Sequence, residues 1–360
     1  MTLHIFNPEH DLALACDIEN YSPPAAAQKL YSDLGFIPAL WADNGDVVMV
    51  EDRMAALDAW RNLRRQMTGY LGNDDVLCRS VEFVTPTDIH SLQITTVDVW
   101  GWDCAIRHKL LKNGIREELL PDKKGIVSVR ELSHRRNALN LLKHLNGKGI
   151  IGEGFVCSNY EDVEHLLSSY HHIVVKAPWS CSGRGIRYVD GFITYHQSGW
   201  IKNMLKAQGS VIVEPYYKKV RDFGMEFFSD GTGVIEYHGL SLFDTENWMY
   251  SGSVLASESY KEKVLTDYIS LDLIDAVRKK IMSYLGFAYS GRYRGMFGVD
   301  MMVVEDKSEH RYLLHPCVEI NLRRTMGHAA IALSPAGDDK HGLMRIENIN
   351  KHYLLKLFFL

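Results

Sequence analysis

Residues 312–324 read Y-L-L-H-P-C-V-E-I-N-L-R-R, and this stretch decides the fold. Leu313, Leu314, Val318 and Ile320 form an apolar run that predicts a buried strand. Glu319 and Asn321 stand two residues apart near its end, so a strand would present them on one face. Arg323 continues the row at i+4. A carboxylate on a dry strand is costly unless it is paired or holds a cation. Hard oxygen donors aimed at one point suit Mg²⁺, which takes one or two carboxylates together with substrate phosphates. The plainer alternative is a structural ion pair between Glu319 and Arg323, and this strand alone leaves both open.

The remaining composition narrows the field. At 360 residues the chain is long for one core, so two or three domains are expected. With 46% apolar and 24% charged residues it reads as an ordinary globular chain. A net charge of −5 leaves no basic footprint, so nucleic acid is not an expected partner. The opening M-T-L-H-I-F-N-P-E-H-D lacks a basic segment followed by a long apolar run. No apolar stretch approaches a membrane span, and the membrane is not an expected partner either. Cysteines 16, 78, 104, 157, 181 and 317 are scattered without a C-x-x-C pair, which predicts a reduced, cytoplasmic protein. Sixteen histidines show no metal-ligand spacing. His171 and His172 open a predicted strand, where neighbours point to opposite faces, and the histidines are expected to be mostly surface or satisfied groups.

Strands and helices alternate from the N-terminus. L-H-I-F-N-P is a short strand running into a polar loop, and 23–34 a helix between Pro23 and Gly35. Residues 38–42 and 46–50 are strand candidates, 53–67 an amphipathic helix, and V-D-V-W-G-W-D (97–103) a strand ending in a turn. A helix over 104–113 stops at Gly114. The pattern predicts a small α/β domain with a parallel sheet, and it thins near 115–128. Strand-end loops of such sheets carry ligands, which singles out Glu9, His10, Asp11 and Trp102, each also readable as structural.

Ser133 is a candidate cap for a helix bearing Ala138, Leu141, Leu142 and Leu145, whose first turn holds His134, Arg135 and Arg136. Cations there oppose the helix dipole and suggest an anionic partner. A helix near 160–169 leads to a strand ending in Lys176, then to a loop with Ser180, Ser182, Gly183, Arg184 and Gly185. No Walker sequence is present, yet such a loop can offer backbone N–H groups to a phosphate, with Lys176 as a point charge. A tight hairpin with an exposed lysine is the simpler alternative. A helix near 199–207 precedes S-V-I-V-E-P-Y-Y, a strand stopping at Glu214-Pro215. Asp222 begins another, which pairs across the turn Asp230-Gly231. Residues 241–260 read as a polar, Ser/Gly-rich mobile loop and 262–285 as one long helix ended by Gly286. Asp300 then lies on the strand before 312–324, so that a hairpin would set it beside Glu319.

Taken in order, these parts resemble the ATP-grasp superfamily, which includes D-alanine–D-alanine ligase, biotin carboxylase and carbamoyl phosphate synthetase. The matching parts are Arg135 or Arg136, Lys176 with Ser180–Gly185, Glu214, Asp222, Asp300, and Glu319 with Asn321. The resemblance covers roughly residues 115–330. It implies an ATP-grasp fold with a preceding small α/β domain: residues 1–114, then one lobe over 115–209 and another over 210–360. It implies adenine against the backbone of Glu214, Tyr216 and Tyr217, ribose near Asp222, and phosphates held by Lys176, the early arginine and loop 180–185. Arg184 falls inside that loop, where the resemblance implies a direct contact with the nucleotide. Asp300, Glu319 and Asn321 would bind Mg²⁺, with Mn²⁺ as the alternative. Arg323, with Arg292 or Arg294 as alternates, would stabilise the transferring phosphoryl group.

The implied reaction makes an acyl-phosphate from a small-molecule carboxylate and ATP, then joins it to an amine or similar nucleophile with release of ADP. A kinase that phosphorylates a hydroxyl and a nucleotide binder without turnover are the competing expectations. A homodimer is the default assembly.

Overall fold

A computed structural model of the chain describes residues 1–68, 70, 79–180, 183, 185–246, 249–306 and 308–359, to which the structural statements refer. Three sheets follow one another along the sequence. Strands β1 (Thr2–Ile5), β2 (Val47–Met49), β3 (Glu82–Val84) and β4 (Thr96–Val99) form a parallel sheet in the order β3-β2-β1-β4. Alternate residues of β1 face opposite ways. Leu3 and Ile5 pack towards Ile106 and Leu110 of helix Cys104–Lys112, and Phe6 packs with Leu34, Trp60 and Leu63 of helices Ala25–Leu34 and Arg53–Thr68. The strand order reverses between β1 and β4, and at such a switch point the loops beyond the strand ends leave a crevice.

The second sheet contains β5 (Phe155–Cys157), β6 (His172–Lys176), β7 (Ile186–Asp190) and β8 (Val211–Pro215), ordered β5-β8-β6-β7 and antiparallel. Helices Tyr160–Tyr170 and Tyr195–Gln208 cover it through Val163, Leu167 and Ile201. The third sheet has seven antiparallel strands: β9 (Lys219–Ser229), β10 (Ile235–Glu246), β11 (Met249–Leu255), β12 (Gly295–Asp306), β13 (Arg311–Asn321), β14 (Gly342–Ile349) and β15 (His352–Phe359). Their order is β13-β12-β9-β10-β11-β14-β15. One of its faces carries Phe223, Met225, Leu240, Leu242, Val299 and Met301, buried under helix Leu271–Tyr289 and helices Lys123–Leu132 and Arg136–His144. Across the other face, Met344, Leu355 and Leu357 of the outer strands pack on the first domain. The α/β domain followed by two α+β lobes agrees with the expected fold class.

Several local expectations are corrected. Residues 38–42 form no strand: Ile37–Leu40 is a short 3₁₀ helix, with Pro38 in its first turn, where its missing N–H leaves nothing unsatisfied. Ser133 ends helix Lys123–Leu132, its hydroxyl donating to Val129 O at 2.8 Å, and the next helix starts at Arg136, whose N–H donates to His134 Nδ1 at 3.0 Å. The polar stretch 241–260 holds the end of β10 and all of β11, which pair antiparallel with Phe243 opposite Ser253 and Asp244 opposite Gly252. Residues 262–285 belong to two helices, Glu258–Thr266 and Leu271–Tyr289, the second capped by Ser270. The boundary at 209/210 cuts a sheet, since β8 is hydrogen-bonded to β5 and β6. Helices Lys123–Leu132 and Arg136–His144 pack on the third sheet rather than the second.

Gly286 lies inside a helix, where alanine ordinarily adds stability. A Cβ there would meet the Gly233 carbonyl oxygen at 2.5 Å, whereas one at Gly199, also helical, would meet nothing within 4 Å. Gly286→Ala is therefore expected to cost about 1–3 kcal/mol by overpacking. Gly199→Ala should add up to about 1 kcal/mol. Urea unfolding of both variants checks the opposite signs.

Candidate active site

The cavity-facing side of the third sheet carries a row of polar groups set by register. Asp300 on β12 stands opposite Glu319 on β13, and Gly298 stands opposite Asn321. On the other flank Asp300 pairs with Gly224 of β9 and Gly298 with Glu226. Period-two alternation therefore brings Glu226, Asp300, Glu319 and Asn321 onto one face. Asn321 Nδ2 donates to Asp300 Oδ2 at 2.9 Å. Burial, then the neighbouring Glu319 and Glu226 carboxylates, push Asp300 up to about 8. Hard oxygens concentrated where three carboxylates share one sheet face fit a divalent cation.

Arg135 is buried and Arg136 exposed, so of the two only Arg135 faces this row. Its guanidinium donates to Glu319 Oε1 at 2.7 Å, Ser180 Oγ at 2.7 Å and the Ala177 carbonyl at 2.5 Å. Lys176, at the end of β6, donates to Glu214 Oε2 on neighbouring β8 at 2.6 Å, both side chains being buried. Gly185 allows a close approach to Ser180: a Cβ there would lie 2.1 Å from Ser180 Oγ. Ser182 and Arg184 lie outside the described residues, while Ser180 and Gly183 line the cavity. Beyond Glu214, Tyr216 and Tyr217 line it as well, close to Val174, Ile186 and Tyr188. Asp222 accepts from Thr245 Oγ1 at 2.9 Å and pairs with Lys219.

Arg323 does not pair with Glu319. Its guanidinium grips Asp11 with Nε and Nη2 at 3.0 and 2.8 Å, and Nη2 also donates to Asn321 Oδ1 at 3.0 Å. Burial alone would raise the Asp11 carboxyl, but Arg323 holds it below the usual range. The structural ion pair weighed for this strand is thus replaced by two others, Arg135–Glu319 and Arg323–Asp11. Arg292 and Arg294 are exposed at the turn before β12, where Arg292 reaches Glu131 at 3.3 Å. Six residues of strand separate Arg294 from Asp300, about 20 Å at 3.3 Å per residue. Neither belongs to the cavity lining, which corrects both as candidates.

Together these groups surround a cavity of about 510 Å³, within the range of small-molecule sites. Glu226 is a member that sequence reasoning missed. Ser241 Oγ and Thr325 Oγ1 each donate to it at 2.8 Å. Its signal lay in the alternation Asp222, Gly224, Glu226 within the otherwise apolar stretch 222–228. Among the earlier loop candidates, Asp11 lines the cavity, while His10 is buried against Asp103 at 3.2 Å.

Two expectations about histidine are also corrected. His171 ends a helix at φ 63° instead of opening β6, so its ring lies 4.8 Å from that of His172 and both approach Asp190 on exposed surface. His315 is fully buried with neither ring nitrogen hydrogen-bonded, and burial with Lys176 nearby pushes it down to about 3, keeping it neutral.

No family model matches the sequence, and no curated protein sequence matches it. Among solved structures, the chain is similar to N5-carboxyaminoimidazole synthetase from Staphylococcus aureus complexed with ADP. That match has 11% identity and a TM-score of 0.49, over 96% of this chain and 82% of the other. Biotin carboxylase from Campylobacter jejuni gives 11% identity and 0.49, over 85% and 77%. A protein from Archaeoglobus fulgidus, provisionally described as ATP-grasp, gives 12% and 0.49, over 100% and 99%. With TM-scores below 0.5, these likenesses carry no part of the functional reading, which rests on the site's own residues. No helix among the described residues is long and apolar enough to cross a membrane.

Burial pushes Glu226 up to about 7, against the hydrogen bonds from Thr325 and Ser241. A carboxyl raised on folding makes the native state bind the extra proton, so stability falls as pH rises from about 4.5 towards 7. Glu226→Gln should match wild type near pH 5 and exceed it by about 3 kcal/mol near pH 8, at about 1.4 kcal/mol per pKa unit. Thermal unfolding of both proteins across that range checks the widening gap.

Proposed function

We propose that this chain is an ATP-grasp enzyme that uses ATP and Mg²⁺ to activate a small-molecule carboxylate as an acyl-phosphate and joins it to an amine or similar nucleophile, releasing ADP. The observation that carries this reading is the convergence of Lys176, Arg135 and the Asp300–Glu319–Asn321 oxygens on one cavity. That set suits a polyphosphate and its cation, with apolar walls at Val174, Ile186 and Tyr216 for a purine ring.

In this reading Lys176 and Arg135 hold the α- and β-phosphates, and Ser180, Gly183 and Gly185 cover the rest. Ser182 and Arg184 are assigned to the same loop by sequence alone. The peptide groups of Glu214, Tyr216 and Tyr217 read the adenine edge, and Asp222 the ribose hydroxyls. Asp300, Glu319 and Asn321 would hold Mg²⁺, or Mn²⁺ in its place, which would neutralise the phosphates and offset the crowding of carboxylates. Little covalent work falls to the protein in phosphoryl transfer, so positioning and charge neutralisation are its contribution. Arg323, oriented by its fork on Asp11, is aimed at the transferring group, a geometry lysine could not reproduce.

Calorimetry with a non-hydrolysable ATP analogue, with and without Mg²⁺, tests the nucleotide site. Micromolar, Mg²⁺-dependent binding is expected, and no binding by the wild type would sink the proposal. Glu319→Gln removes charge without volume and should abolish Mg²⁺-dependent ADP release while circular dichroism stays unchanged. Hydroxylamine trapping during turnover should give a hydroxamate, whereas a kinase acting on a hydroxyl gives none.

A further inference from the structure

The cavity does not end at the phosphate groups. Past Asn321 and Arg323 it follows the sheet face across β9, β10 and β11 to β14 and β15, beneath helix Ala25–Leu34. Four strand spacings separate β12 from β14, about 19 Å. This arm is walled by Ala27, Leu30, Trp100, Met326, Ile346 and Tyr353. The alanine leaves space where a larger side chain on the same helix would close it.

The charges in the arm are one-sided. Basic side chains lining the whole cavity, among the described residues, are Arg135, Lys176, Lys219 and Arg323. The first three stand with Glu319, Glu214 and Asp222, on the nucleotide side. Arg323, at the junction, is matched by Asp11. A phosphate or carboxylate entering the arm would therefore be buried without a cation, at a cost of several kcal/mol.

Glu226 has the opposite need. It is 1% exposed and lines the cavity, and its hydrogen bonds come from the hydroxyls of Ser241 and Thr325. No lysine or arginine among the described residues forms an ion pair with it. His328 Nδ1 lies 3.0 Å from Glu226 Oε2, but that nitrogen accepts the Thr325 backbone N–H at 3.1 Å and so carries no proton to give. A carboxylate offers about four acceptor sites, leaving capacity for a ligand cation. Glycine at 327 keeps the place clear, since a Cβ there would lie 1.9 Å from Glu226 Oε1.

We propose that this arm binds the amine co-substrate, a primary amine on an apolar, unphosphorylated body that docks in its protonated form with the ammonium group set on Glu226. The inference rests on the ligase reading above and adds the class of its second substrate. An apolar body matches the walls, and the ammonium supplies the one charge that the arm lacks.

Calorimetry with 2-phenylethylamine as probe, in the presence of the ATP analogue and Mg²⁺, tests this, with 3-phenylpropionate and O-phosphoethanolamine as comparisons. The amine should bind at least tenfold more tightly than either comparison. Glu226→Gln and Ala27→Trp should each weaken it tenfold or more, while Ala27→Trp binds the analogue as the wild type does. Equal or tighter binding of either comparison overturns the proposal. So does undiminished amine binding in both variants, or no amine binding where the analogue binds. Failure of the analogue to bind the wild type overturns the nucleotide reading itself, and this inference with it.

Discussion

Three parts of the cavity depend on one cation. The buried guanidinium of Arg135 joins the end of β6 through the Ala177 carbonyl, the following turn through Ser180, and β13 through Glu319. Glu319 faces Asp300 across the ladder, so without Arg135 two carboxylates would stand together with no compensating charge on that side. Removing one partner of a buried pair typically costs 3–5 kcal/mol, because the other is left desolvated and alone.

The row of acids beside it breaks the usual rule that buried sheet faces are apolar. Gly224 and Gly298 sit among these acids, and a Cβ at Gly298 would lie 2.6 Å from Glu226 Oε2. The opposite face of the same strands carries Phe223, Met225, Val299 and Met301 in the main core. Two-sided strands of this kind separate stability from chemistry: one face supplies burial, and the other tolerates a local excess of negative charge. Local departures from consistency of this sort concentrate at functional sites.

The first domain contributes to the same cavity through its switch point. Phe6 and Pro8 follow β1 and Trp100 follows β4, at the crevice where the strand order reverses. Asp11, from the helix after β1, clasps Arg323, and the β14–β15 hairpin packs on the helices of this domain through Leu355 and Leu357. The cavity thus has walls from all three sheets.

By itself the sequence determined the local periodicities. It yielded three of the four parallel strands of the first domain, β1, β2 and β4 but not β3, together with the strand that ends in Lys176 and the placement of Glu319 and Asn321 on one face. These follow from alternation and helical spacing, which a short window carries. Where polar and apolar residues alternated weakly, as in 241–260, the same reasoning failed, and Glu226 passed as one acid among apolar neighbours. Only the tertiary structure decided which charges meet: Arg135 rather than Arg136 on Glu319, Asp11 rather than Glu319 on Arg323, and neither Arg292 nor Arg294 in the cavity. Those pairs join residues 184 and 312 positions apart. Such partners are set by sheet register and by the packing of one lobe on another, and no local pattern encodes either.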